Sequence, residues 1–206
     1  MPAFQAWQEL YQEHGATLPL EQWAASLGGS GAEFDACAYL EQQLGRAIDR
    51  EGLRVRRWRR KLELVASQPL LPGVETYLRE ARSLGLKVGL ASSSSHGWVD
   101  GILDRLGIVG SFDCVVCGDD VTLVKPNPEI YLRALQALHL RPDEAIVLED
   151  SPNGIIAAQA AGIFCVVVPN ELTALLPIKY ADLQVDSLAD LPLDRLLETV
   201  TLSGAS

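Results

Sequence analysis

From Pro72 onward, short β-branched runs alternate with longer segments of helical periodicity, and few folds accommodate that pattern. Lys87 to Ala91, Cys114 to Cys117, Ala145 to Leu148 and Phe164 to Val168 are predicted strands, with a further short one near Leu183 to Val185. Val74 to Leu84, Gly97 to Leu106, Pro128 to Leu138 and Gly154 to Ala161 are the helices between them. The strands are apolar at successive positions, as expected of strands buried on both faces. That implies a parallel sheet with helices on either side, an α/β class of Rossmann-like build. Ligands of such sheets bind beyond the carboxyl ends of the strands, so those ends are the places to look for chemistry.

The first third of the chain has no comparable strands. Phe4 to His14, Leu20 to Leu27, Ala32 to Leu44 and Arg50 to Ala66 read as amphipathic helices, punctuated by glycines and Pro19, with Asp49 as an N-cap for the fourth. The chain is therefore expected to divide into a small helical domain, residues 1–71, and an α/β domain, residues 72–206. The fourth helix carries Arg54, Arg56, Arg57, Arg59, Arg60 and Lys61 around Trp58. A nucleic-acid patch is one reading of that run. Consecutive charges wind around a helix instead of lining one face, however, and the formal net charge of the whole chain is −10. A solvated, ion-paired helix accounts for the run, and no nucleic-acid or membrane partner is expected. No apolar run approaches the ~20 residues needed to cross a bilayer. Met1 to Gln5 shows neither a basic nor an apolar leader pattern, so a cytoplasmic location is expected.

Cysteines are few: Cys37, Cys114, Cys117 and Cys165. The last residue of Cys114-Val115-Val116-Cys117 stands three after the first within a predicted strand, so the two thiols face opposite ways. With no second such pair, a zinc or redox role is set aside.

Three strand ends carry polar clusters. Leu90-Ala91 runs into Ser92-Ser93-Ser94-Ser95, whose hydroxyls and amides before a helix suit an oxyanion or phosphate, although a plain helix cap would use the same residues. The next end leads to Lys125-Pro126-Asn127-Pro128, placing an ammonium where it suits a phosphoryl oxygen; lysines are more commonly just exposed. The third is Glu149-Asp150-Ser151-Pro152-Asn153-Gly154. Its adjacent carboxylates favour a divalent cation with oxygen ligands, Mg²⁺ above all; the alternative is that Asp150 or Ser151 caps the following helix.

Hydroxyl cradle, lysine and acidic pair at successive strand ends together resemble the second, third and fourth motifs of the haloacid dehalogenase superfamily. The likeness is to the branch of β-phosphoglucomutase-like and phosphoglycolate phosphatase-like enzymes, and it spans essentially the whole chain, since that branch carries a helical cap on its amino-terminal side. The resemblance implies phosphate binding and catalysis by Ser92 and Lys125, with Ser93 beside them, substrate contacts from Ser94 and Asn153, and a Mg²⁺ site at Asp150 supported by Glu149. The implied activity is Mg²⁺-dependent hydrolysis of a small phosphorylated metabolite through an aspartyl-phosphate.

That family's nucleophile lies in a D-x-D-G motif after a central strand ahead of the cap. No D-x-D occurs in this sequence. The natural protein is accordingly expected to be longer, the central strand to be missing from this chain, and residues 1–206 to be inactive alone. Two further readings stay open: a sugar phosphomutase, and a degenerate relative that binds phosphate or a protein partner. The loop Gly28-Gly29-Ser30-Gly31-Ala32-Glu33 holds no arginine to grip a second phosphate, which favours hydrolysis.

Overall fold

The computed structural model describes residues 1–25, 34–178 and 180–203. The loop from Gly28 to Glu33 lies outside them. The chain forms two compact units, Met1–Gln68 with Ala174–Leu176, and Pro69–Thr173 with the residues from Pro177 onward.

The first unit is helical: α1 (Pro2–Glu13), α2 (Leu20–Ala25), α3 (Ala36–Leu44) and α4 (Arg50–Ala66). The sequence suggested that the third helix begins at Ala32. It begins at Ala36 because the Asp35 carboxylate accepts from the backbone N–H groups of Cys37 and Ala38, which fixes the first turn there. Asp49 caps α4 in the same way, accepting from Gly52 N. Phe4, Trp7, Leu10 and Tyr11 from α1 pack with Leu18, Leu40 and Leu53 in an aromatic-rich core. The Tyr11 hydroxyl, inside that core, donates to Ala36 O at 2.5 Å. Two members of the basic run of α4 pair with acidic residues, Arg56 with Glu13 and Arg60 with Glu9 and Glu63, and Arg50 ahead of the run pairs with Glu41 and Asp35. Arg57 lies over the Trp7 ring.

The second unit runs α5 (Val74–Ser83), β1 (Gly89–Ala91), α6 (His96–Leu106), β2 (Cys114–Val116), α7 (Glu129–Leu138), β3 (Ile146–Glu149), α8 (Pro152–Ala160), β4 (Phe164–Val167), β5 (Leu183–Gln184) and α9 (Leu193–Ser203). All strand pairs are parallel, as in other α/β folds. Residues 193–203 are assigned no element in the sequence analysis, and the structure has α9 there. Leu193 and Leu196 are buried and Leu197 and Val200 pack beside them, a one-sided stripe at helical spacing.

The strands divide into two sheets, β1–β2 and β3–β4–β5, so β1 and β3 are each an edge. Val166, Val185 and Leu196 form the core on the β4 side, and Val99, Leu103 and Cys117 form a smaller one beside β2. Among the described residues, no helix is long and apolar enough to cross a membrane.

Candidate active site

The carboxyl ends of β1, β3, β4 and β5 open on one pocket of about 540 Å³, lined among others by Ser92, Ser93, Ser94, Lys125, Glu149 and Asp150. The residues proposed from separate strand ends thus meet in one place, with the exception of Asn153, which sits in the first turn of α8 and is not among the lining residues.

The serine turn is held from below. Ser92 N donates to Val116 O at 2.9 Å, and Gly118 N donates to Ser94 O at 2.8 Å. Within the turn, Ser92 Oγ accepts from Ser94 N at 3.2 Å. The packing under it requires a glycine, because a Cβ on Gly118 would lie 2.6 Å from the Ser93 carbonyl oxygen.

Lys125 spans the pocket floor. Its Nζ donates to Ala91 O at 2.9 Å and to Glu149 Oε1, and it lies 4.7 Å from the centre of the Tyr131 ring. An ammonium has three N–H donors, so one remains for a ligand.

Glu149 is buried and fully engaged. Oε1 accepts from Lys125 and the Tyr131 hydroxyl; Oε2 accepts from the Ser151 hydroxyl at 3.0 Å and from Asp150 N and Ser151 N. Burial alone would raise its pKa, but Lys125 and these donors outweigh it and hold the carboxyl below the usual range. Only glycine fits opposite, since a Cβ on Gly154 would come within 1.9 Å of the Glu149 carboxyl.

Asp150 has a different environment. Its carboxylate faces the pocket, with Oδ2 accepting from Asn170 Nδ2 at 2.9 Å. Crowding by the surrounding protein and the charge of Glu149 push its carboxyl above the usual range. A cation would relieve both effects. Asp150 and the neighbouring hydroxyl and amide oxygens are hard donors of the kind Mg²⁺ accepts. Mg²⁺ commonly needs only one or two protein carboxylates, with water and phosphate completing its shell. The residues therefore fit that ion, although no group of three or more His, Cys, Asp or Glu side chains gathers among the described residues.

A family model for haloacid dehalogenase-like hydrolases matches residues 2–162. The chain belongs to that family. It is 43% identical over 195 residues to YhcW of Bacillus subtilis (strain 168), which bears a phosphatase name, covering 95% of this chain and 88% of that one. It is 30% identical to the validoxylamine A 7'-phosphate phosphatase of Streptomyces hygroscopicus subsp. limoneus, over 79% and 75% of the two chains. The β-phosphoglucomutase structure from Clostridium difficile superposes with a TM-score of 0.72 at 25% identity, covering all of this chain and 92% of that one. The α/β architecture and the assignment to a hydrolase family of phosphatase-like members follow.

Within the haloacid dehalogenase-like frame, several site residues were not singled out from sequence. Tyr131 reads as core on α7, yet its hydroxyl fixes Glu149. Asn170 and Asp186 follow β4 and β5, and nothing in the sequence brings those loops to Lys125. Gly154 was legible as the last residue of the Glu149-Asp150-Ser151-Pro152-Asn153-Gly154 run, but its reason was not. Cysteine offers no nucleophile here. Cys114 and Cys117 are unbonded thiols, and burial next to Glu149 pushes the Cys165 thiol up to about 12.

Proposed function

We propose that this pocket binds the phosphoryl group of a small phosphorylated metabolite, and that the reaction it serves is Mg²⁺-dependent hydrolysis through an aspartyl-phosphate. The observation that carries the reading is the meeting of the Ser92–Ser94 turn, Lys125 and Asp150 in one recess. Phosphoryl oxygens would take the Ser92 hydroxyl and the N–H groups of the turn, together with the remaining N–H of Lys125. Asp150 would hold Mg²⁺, which when bound supplies positive charge at the transferring group. Glu149 supports both by fixing the lysine and the start of α8, its own oxygens being already engaged. Ser94 lines the recess where substrate would lie; Asn153, outside the lining, is the weaker member of the set. Substrate choice is assigned to the helical residues 1–71 acting as a cap, and the core chemistry to residues 72–206.

The nucleophilic carboxylate is the missing part, since the sequence holds no D-x-D. Residues 1–206 would bind phosphate without turning substrate over, and activity would belong to a form that also carries the aspartate strand. The test pairs calorimetric titration of inorganic phosphate with an assay on para-nitrophenyl phosphate and Mg²⁺. The expected result is phosphate binding that Lys125→Ala abolishes, with no turnover. Turnover that disappears in Lys125→Ala would overturn the missing-nucleophile reading, and undetectable phosphate binding would overturn the site.

A further inference from the structure

We propose that Asn170 sets the choice of cation at Asp150. By holding one carboxylate oxygen it makes Asp150 a one-oxygen ligand, which suits Mg²⁺ better than Ca²⁺. The inference rests on the reading of Asp150 as the Mg²⁺ ligand and adds to it a positioning residue that decides between cations.

Asn170 reaches Asp150 because the sheet delivers it there. β3 and β4 pair in parallel up to Glu149 and Val167, and Val168 N then donates to Glu149 O at 2.7 Å. The chain therefore leaves β4 beside the residue that follows β3. Pro169 restricts the backbone at that exit, and Asn170 comes next.

The orientation of the amide is decided by its other end. Asn170 Oδ1 accepts from Leu172 N at 2.9 Å and from Thr173 N at 3.1 Å, while Asn170 N donates to Thr173 Oγ1 at 3.0 Å. Leu172 and Thr173 are both buried, so the turn that makes these bonds is anchored in the protein. An oxygen that accepts two N–H groups cannot exchange places with the amide nitrogen. The NH₂ end is thus the one that meets Asp150, donating to Oδ2 at 2.9 Å. Holding the turn needs only an acceptor, which a serine at this position also offers. What asparagine adds is a neutral donor placed on a carboxylate.

That donor has a consequence for the metal. A carboxylate oxygen already bonded to an N–H is the poorer ligand, so the pocket is left with Oδ1. Mg²⁺ demands near-octahedral geometry with short bonds, which a single oxygen from a fixed carboxylate supplies. Ca²⁺ takes a larger and more flexible shell and gains from carboxylates that offer both oxygens. Because the amide is neutral, the charge of Asp150 stays available to the cation. Groups that hydrogen-bond a ligating carboxylate govern affinity nearly as strongly as the ligand itself.

The experiment loads the whole chain with Mn²⁺, follows the free ion by electron paramagnetic resonance, and displaces it with Mg²⁺ or with Ca²⁺. Asn170→Ala and Asn170→Ser should each weaken Mg²⁺ by about tenfold and leave Ca²⁺ unchanged or tighter, so the ratio of the two affinities falls. In the ¹⁵N-labelled parent chain, the side-chain amide signal of Asn170 should move when Mg²⁺ is added, and should stay put in Asp150→Asn. Recovery of the parent ratio in Asn170→Ser would overturn the inference, because that variant keeps an acceptor for the turn and loses only the donor. Equal weakening of both cations would also overturn it, since a general loss of structure has no preference between them. The Mg²⁺ reading fails in a different way: the parent chain takes up no Mn²⁺, or Asp150→Asn takes it up equally well. Either result removes the inference together with its premise, and neither involves an Asn170 variant.

Discussion

The helical unit and the α/β unit solve the same problem with different completeness. In the first, α1, α3 and α4 enclose an aromatic core whose buried hydroxyl, Tyr11, has an acceptor, and Arg56 and Arg60 of α4 find acidic partners on α1. In the second, two short parallel sheets stand with edges open on a shared apolar cleft, and a buried ion pair, Lys125–Glu149, lies at its end. A helix satisfies its own backbone, so a few helices close a core with side chains alone. A strand does not, so a sheet is only as complete as its neighbours. Stability in the helical unit should therefore track apolar packing, and stability in the α/β unit should track polar groups at the strand ends.

The largest expected effect tests that division directly. Lys125→Ala leaves Glu149 buried without its cation and should destabilise the α/β unit by about 3–4 kcal/mol, even though Tyr131 and Ser151 still donate to the carboxylate. Adding Glu149→Gln should recover most of the loss in urea titrations followed at Trp98, which lies in α6. No recovery would mean that the lysine acts through packing and not charge.

Its counterpart in the helical unit is Leu40→Ala, which empties a fully buried position and should cost about 3 kcal/mol. The signals of Trp7 and Trp23 should report it. A loss below about 1 kcal/mol would show that this core is looser than its burial indicates.

Gly154→Ala should follow at roughly 2 kcal/mol, because the new methyl and the Glu149 carboxyl cannot both keep their places. Phosphate affinity should fall with it, since Glu149 positions Lys125.

Acid titration separates the two adjacent carboxylates by sign. Glu149 binds its proton more weakly folded than unfolded, so the stability it contributes is complete above its ordinary value of 4.5 and is lost as pH falls through the lower folded value. Asp150 is the reverse: it binds a proton more readily folded, so its ionisation opposes folding once pH rises from the ordinary 3.8 through the raised value. Glu149→Gln should lower stability at neutral pH, whereas Asp150→Asn should preserve or raise it. The opposite order, read from urea midpoints at pH 7, would exchange the roles assigned to the pair.

The smallest effect belongs to Arg56→Ala. Arg56 and Glu13 are both about half exposed, and such a pair contributes under about 1 kcal/mol, fading with salt. A larger loss would make α4 more than a solvated face.

Much of this was legible beforehand because it depends on spacing alone. The alternation after Pro72 specified a parallel α/β unit, since runs apolar at every position suit only a sheet covered on both faces. The Ser92, Lys125 and Glu149-Asp150 clusters stood out because each follows such a run, where an α/β sheet exposes its backbone ends. Asp35 and Asp49 gave the helix starts of α3 and α4 locally, through their own hydrogen bonds, although the Asp35 cap was recognised only once Ala36 was seen to begin the helix. What the sequence could not determine depends on pairs distant along the chain. Tyr131 becomes a site residue only because α7 lays its hydroxyl on a carboxylate 18 positions later, and Asn170 only because the loop after β4 returns to Asp150. The opposite environments of Glu149 and Asp150 likewise come from tertiary structure. Glu149 ends β3 and is buried against Lys125 and Tyr131, while Asp150, one residue past the strand, meets Asn170 from the loop after β4.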